Sequence, residues 1–486
     1  MSKGRDLLFF CVLAPAVAGA CTGLKSALEV TVTGPEAGAP SPSGNGDDDD
    51  VPTKTPGSSN DDPPPDAGVP PEDFSCEKSY WVLDPKPRAE CAPRQVRVVS
   101  TALLTQSNGV SIARTSAGRI GIAFNFDPDP ETTKLRVAHF QPTMPDFAAP
   151  IIEERASADF KHVGFMSRLA ASAPDTFHVL SFDVDPSSGS GSVTSQKLID
   201  GTGPLTDPET VLTDVPSPTE LGFAVDSNKT AYALVRMAAA SDKAKLLAFK
   251  KPDDGAWTSL PNIPSLGYGL LPKEAPASGA SSLVIDGNDR LHVLYHHNEV
   301  RFGSTPRYHV LASSAWSYRK TIDNNAPDGW CGFSPRLAVF GPRKYALYFF
   351  NRTNQDTPTP TAELRLSTWV SEDDQPTHEV IDQQIPSTST YAPRYAAAMA
   401  IDKFGLIHLA IVRPSPNEQR GFLEYRRQQR VDGGGTRWVS DLVDDDVLSA
   451  QSGASVDILV DENARPHIAY VSGKDLRLRY ATRYDR

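Results

Sequence analysis

Cysteine is scarce in this 486-residue chain. The five present (Cys11, Cys21, Cys76, Cys91 and Cys331) form no CxxC pair and no Cys/His spacing, which excludes a structural zinc site. Basic residues are also outnumbered, 48 against 60 acidic, for a formal charge of -12. A chain with that balance has no basic face to meet phosphate, so a nucleic-acid partner is excluded. Helical periodicity is hard to find, charged residues are only 22%, and past the N-terminus no apolar run approaches transmembrane length. Short apolar runs broken by Gly, Pro, Asn and Asp are common instead, and they point to an all-β protein.

Lys3 and Arg5 precede Leu7–Ala20, a 14-residue, mostly apolar segment with a small-residue end. This is a signal peptide, too short to span a bilayer. Its end, Ala18-Gly19-Ala20-Cys21, resembles the lipobox of bacterial lipoproteins, with Ala18 where that family prefers leucine. The resemblance implies that residues 1–20 are removed and that Cys21 carries the lipid. The chain would then be held at the cell envelope, at the outer membrane or cell surface, and would meet the membrane through that lipid alone. Ordinary cleavage after Ala20, which frees the protein, is the alternative.

Residues 21–75 read as a linker rich in Pro, Gly and Asp that cannot bury a core. As a random coil it reaches about 40 Å, a leash rather than a domain. The Asp47–Asp50 run is a solvated spacer, lacking the fixed cage that calcium needs. Cys76 and Cys91 bracket a segment over 76–94, where export favours a disulfide worth about 3 kcal/mol. Cys331 is left as a buried free thiol.

The remainder, 95–486, is organised by one hairpin. Val460–Tyr470 reads strand, polar turn, strand, and the same pattern begins at Arg114, Ala171, Val225, Ile285, Val339 and Ile401. The spacings of 57, 54, 60, 54, 62 and 59 residues mean one supersecondary unit repeated. A third and often a fourth strand follow each hairpin, which predicts a seven-bladed β-propeller of four-stranded blades. Gln95–Ser100 is placed to complete the seventh blade and close the ring. At these residues the chain resembles the H-I-A-Y type repeats of secreted bacterial propellers, and more loosely the BNR/sialidase-like superfamily. Asp253–Trp257 and Asp432–Trp438 are similar to sialidase Asp-boxes but differ in spacing, and are read as Asp-Gly hairpin turns.

The repeat position of His467 carries Gly121, His178, Tyr232, His292, Ala346, His408 and His467. An aspartate lies six residues earlier in three copies (Asp286, Asp402, Asp461), so these histidines are expected to brace turns. Binding is expected instead on the loops that differ between blades. These supply His296, His297, Arg301, Trp330, Arg336, Tyr391, Arg394 and Arg168. Arginines there grip a carboxylate in bidentate fashion, and aromatic rings stack on sugars. Arg168 and Arg336 occupy equivalent positions, three before the hairpin.

The reading taken is a non-catalytic, membrane-tethered lipoprotein that binds a glycan or a protein. Its alternative is a polysaccharide lyase acting on uronate polymers by β-elimination. His292-Val-Leu-Tyr295-His296-His297-Asn298 resembles a stretch of BNR-type lyases, which implies Tyr295 or His297 as base and Arg301 as carboxylate clamp. A sialidase-like glycosidase comes third, because the F/Y-R-I-P motif of that family is absent. No metal or cofactor is demanded, though calcium in the channel is compatible with such folds.

Overall fold

The computed structural model describes residues 79–81 and 97–485, apart from internal segments of which the longest are 101–108, 143–149, 238–244, 264–280, 353–360 and 387–395. The signal segment, Cys21, the linker, Cys76 and Cys91 lie outside the described residues. Regular structure among the described residues is strand, apart from one short 3-10 turn at Ile199–Gly201.

Strands β1 (Ser79–Trp81) and β2 (Arg97–Ser100) come first. Unit 1 is β3 (Ser111–Arg114), β4 (Ile120–Asp129), β5 (Thr132–Phe140) and β6 (Ile151–Arg155). Unit 2 is β7 (His162–Ser172), β8 (Thr176–Asp185), β9 (Ser190–Leu198) and β10 (Glu209–Pro216). Unit 3 is β11 (Pro218–Val225), β12 (Ala231–Met237), β13 (Lys245–Lys251) and β14 (Thr258–Ser259). Unit 4 is β15 (Ser281–Ile285), β16 (Leu291–Glu299), β17 (Gly303–Ala312) and β18 (Ala315–Thr321). Unit 5 is β19 (Gly329–Phe340), β20 (Arg343–Arg352), β21 (Thr361–Trp369) and β22 (Thr377–Pro386). Unit 6 is β23 (Ala396–Ile401), β24 (Ile407–Pro414), β25 (Arg420–Arg430) and β26 (Thr436–Leu448). Unit 7 is β27 (Val456–Val460), β28 (Pro466–Val471) and β29 (Leu478–Asp485).

Within each unit consecutive strands pair antiparallel. Units 1 and 2 share a sheet through a single parallel pair, Thr133 with His162. The arrangement is β-propeller-like. Each sheet is covered on both sides, which is why its second strands read as unbroken apolar runs. Tyr345, Leu347 and Phe349 of β20 pack on Ile407, Leu409 and Ile411 of β24. The opposite face of unit 6 packs on Ile458, Ile468 and Tyr470 of unit 7. Val110, Ile112 and Ile122 of unit 1 pack on Ala469, Val471 and Tyr480, so unit 7 meets unit 1.

β2 pairs with β29 (Arg97 opposite Tyr480), as expected of Gln95–Ser100. β1 pairs with the other end of β29 (Tyr80 opposite Tyr484), which the sequence reading did not place. β29 therefore carries two short edge strands in place of one long one. Both Asp-box-like segments are turns between third and fourth strands: Gly255 N–H donates to Pro252 O, and Gly434, at φ 94°, donates to Val431 O. The following tryptophans tie units together. Trp257 Nε1 donates to Ser195 Oγ (3.0 Å) and Trp438 Nε1 to Glu379 Oε1 (2.7 Å), each in the preceding unit.

Polar clamps also cross the seams. Asp323, just past β18, accepts from Tyr348 Oη (2.8 Å) and Arg365 Nη1 (2.9 Å) of unit 5. Asp444 of β26 accepts in the same way from Tyr470 Oη (2.6 Å) and Arg479 Nη1 (2.8 Å) of unit 7. Cys331 is buried as expected, and burial, with Asp323 beside it, holds its thiol well above the ordinary range.

Candidate functional site

The repeat histidines brace turns. In units 4, 6 and 7 one aspartate oxygen caps the turn by accepting the amides two and four residues on: Asn288 and Arg290 at Asp286, Phe404 and Leu406 at Asp402, Asn463 and Arg465 at Asp461. The other oxygen faces the histidine Nε2, at 3.1, 3.3 and 3.5 Å for His292, His408 and His467. Each histidine Nδ1 meets a third-strand tyrosine hydroxyl: Tyr308 (2.6 Å), Tyr425 (2.7 Å) and Tyr480 (2.5 Å). Those tyrosines were not foreseen. In unit 3, Tyr232 replaces the histidine and reaches Asp226 itself, at 3.2 Å.

Unit 5 corrects the sequence alignment. Phe340 pairs with Arg343 across a two-residue Gly341-Pro342 turn, so Tyr345, not Ala346, holds the brace position. In unit 1 the position is Gly121, because Phe177 of the next unit lies where a Cβ would stand, 2.6 Å from its ring. His467→Ala should leave Tyr480 Oη and Asp461 buried without their partner. The expected loss is about 2 kcal/mol, read as a lower melting temperature with ligand binding unchanged.

The loop residues separate into two groups. Tyr295 and His297 lie on one face of β16, which packs on Leu234, Leu246 and Ala248 of unit 3. Register places Arg307 opposite Tyr295, Thr305 opposite His297 and His309 opposite Val293. All these side chains are buried, Tyr295 at 7% exposure, His297 at 6%, Arg307 at 7% and His309 at 1%. Tyr295 Oη and His309 Nε2 are 3.2 Å apart with stacked rings, and His297 meets Tyr295 edge-on with centroids 6.3 Å apart. Burial pushes His296 well below its ordinary pKa, helped by the positive charge of Arg236 on β12 and by His297, so it stays neutral.

Arg307 and Arg236 escaped the sequence reading. The available signal was the Tyr–Arg cross-strand pair, which recurs as Tyr348–Arg365 and Tyr470–Arg479. The histidines distinguish unit 4: at the positions of His297 and His309, unit 5 carries Phe350 and Ser367. A tyrosine hydroxyl hydrogen-bonded to a histidine, with a second histidine and two guanidinium groups, can move a proton and balance a carboxylate.

The second group lies on the first strands. Arg168 (β7) and Arg336 (β19) sit at the level of Asp457 (β27), and both guanidinium charges act on that carboxylate. Desolvation nonetheless holds Asp457 above its ordinary range, against the Ile112 amide and the two arginines. Among the described residues no hydrogen bond, ion pair or ring contact joins Arg336 to His296 or His297. Trp330 is described only as backbone, paired with Asn351. Arg301, Tyr391 and Arg394 lie outside the described residues.

No family model matches the chain, and no curated protein matches it. Solved structures do. An α-L-arabinofuranosidase from Fusarium graminearum matches at 11% identity and TM-score 0.45, over 66% of this chain and 93% of that one. A Hadza microbial sialidase matches at 11% and 0.42, over 73% and 74%. The polysaccharide lyase Uly1 matches at 9% and 0.44, over 78% and 90%. The three structures named here are of glycan-cleaving enzymes, where the sequence reading expected a non-catalytic binding protein. At these identities they do not choose a reaction, and the architecture rests on the sheets described above.

Proposed function

We propose that the chain is a seven-bladed propeller enzyme that cleaves a uronate-bearing polysaccharide by β-elimination. The observation that carries the reading is the buried wall of unit 4, where Tyr295, His297 and His309 share one face with Arg307. In the reaction the proton on C5 passes to the base, Tyr295 or His297. The C4–O4 bond then breaks, a C4–C5 double bond forms, and the departing oxygen takes up a proton. A guanidinium beside the uronate carboxylate lowers the energy of the C5 carbanion, and Arg307 takes that part. Arg301, the clamp suggested by sequence, stays a candidate beside it. The lipid at Cys21 and the Cys76–Cys91 disulfide belong to the same proposal, of an enzyme leashed to the cell envelope.

The test is direct. The purified chain is incubated with polygalacturonate, alginate and a glucuronate-containing glycan, and ultraviolet absorbance of the unsaturated product is followed. A rising signal on one polymer supports elimination. New reducing ends without that chromophore would replace it with hydrolysis.

A further inference from the structure

Two phenylalanines stand exposed at the turn end of units 5 and 6. In units 3, 4 and 7 the residue two past the turn aspartate is Asn228, Asn288 and Asn463; in unit 6 it is Phe404. The turn needs only the amide of that residue, which donates to Asp402 Oδ1 at 2.8 Å. The ring is left in solvent, 52% exposed. Gly405 follows at φ 80°, and the ring of Phe340 from unit 5 lies against it, 2.8 Å from where a Cβ would stand. Phe340 ends β19 and is itself 38% exposed. Single exposed apolar residues are ordinary, but two aromatic rings joined across a seam mark a surface that meets something.

Cations line these rings. Lys403 Nζ lies 5.0 Å from the Phe404 ring centroid, and Arg430 Nη2 reaches back from the third strand to donate to Phe404 O at 3.1 Å. Arg343 pairs with Phe340 across the Gly341-Pro342 turn. All three are exposed, and among the described residues none has a carboxylate partner. A chain of net charge -12 thus carries an apolar strip with positive charge along it. Aromatic rings stack on the apolar faces of sugars, and guanidinium and ammonium groups pair with carboxylates. The outer side of the strip favours a thread over a sheet. Asp373, Asp374 and Asp432 lie exposed on the neighbouring turns between third and fourth strands. A flat anionic bilayer must meet these acids as well, whereas a single polymer chain covers only the strip.

We propose that Phe340, Arg343, Lys403, Phe404 and Arg430 form a surface that holds an anionic polysaccharide, its sugar rings on the two phenyl rings and its carboxylates on the three cations. The surface lies at the end of the sheets that carries the first-to-second-strand turns, whereas Tyr295 and His297 approach the other end of β16. It holds a polymer without taking part in bond cleavage, and only the choice of a uronate polymer rests on the proposed function.

The experiment is native affinity electrophoresis of the full chain through gels holding polygalacturonate or its fully methyl-esterified form, which keeps the sugar rings and loses the charge. Polygalacturonate should retard the protein, the ester much less, and added salt should release it. Phe404→Ala should weaken the interaction about fivefold or more, as should Lys403→Ala combined with Arg430→Ala. Phe404→Tyr keeps the ring, so it should keep the retardation and guards against a turn that fails to form. No retardation, equal retardation in both gels, or unchanged retardation in Phe404→Ala would overturn the surface. Flotation on phosphatidylglycerol vesicles, or dimers in sedimentation, that depend on Phe404 while polygalacturonate gives no retardation would overturn it too, and assign the strip to a lipid or to a second copy. Ultraviolet product with no retardation removes this surface and leaves elimination standing. Retardation that depends on Phe404, with no chromophore from any polymer, does the reverse.

Discussion

Tyr295→Phe should lower kcat/KM for elimination by about 10²-fold or more while the protein stays folded. The phenyl ring keeps the packing on Leu234 and Leu246 and loses only the hydroxyl. That hydroxyl is 3.2 Å from His309 Nε2, so its removal leaves one histidine nitrogen short of a partner, at about 1 kcal/mol. A drop of that size in stability cannot itself produce a hundredfold loss of rate. His297→Ala should lower activity as well, whichever of the two side chains is the base. The pH profile separates them: a histidine base gives an acid limb that persists in Tyr295→Phe and vanishes in His297→Ala. Full activity in both variants would remove the unit 4 wall from the chemistry.

Acid should unfold this protein in two stages. Burial holds His178 at about 4, with Lys197 acting in the same direction. His139 is also at about 4, through burial and then Arg119. A histidine whose folded pKa lies below its unfolded value binds its proton more readily in the unfolded chain. Its contribution is whole above the unfolded value of 6.5 and is lost as pH falls towards 4. For each of these two that amounts to about 3 kcal/mol, and His292, His296, His378 and His467 shift in the same direction. The second stage belongs to carboxylates. Burial pushes Asp286 up, but Arg290 and His292 overcome it and hold the group at about 2. Burial is likewise outweighed at Asp461, by His467 and the Arg465 amide, leaving it at about 2. Their contribution is present above the ordinary carboxylate value of 3.8 and is lost as pH falls through about 2. Melting temperature should therefore fall from pH 6.5 downward, well before Asp286 or Asp461 titrates, and His178→Gln should shallow the upper part of that slope. A melting temperature flat between pH 6 and 4 would contradict the burial of these histidines.

The hairpins were readable in sequence because they are local. An aspartate that caps its own turn and a strand that alternates between two buried sides leave their mark within eleven residues, as in Val460–Tyr470. For the same reason the reading slipped in unit 5, where Gly341-Pro342 shortens the turn and moves the brace from Ala346 to Tyr345. Aligning on hairpins also hid G-F-x-x-R-L-A, shared by Gly164–Ala170 and Gly332–Ala338 upstream of them, although Arg168 and Arg336 were already recognised as equivalent.

By itself, then, the sequence determined the strand order, the repeat and the role of His467, because turn chemistry and apolar alternation act over a few residues. Tertiary structure decided what meets across the seams. Tyr295 meets Leu234 and Leu246 only where unit 4 packs on unit 3. Asp323 meets Tyr348 and Arg365, and Asp444 meets Tyr470 and Arg479, only because neighbouring units pack on one another. Contacts of that kind join residues of different units, far apart in the chain, and no local pattern records them.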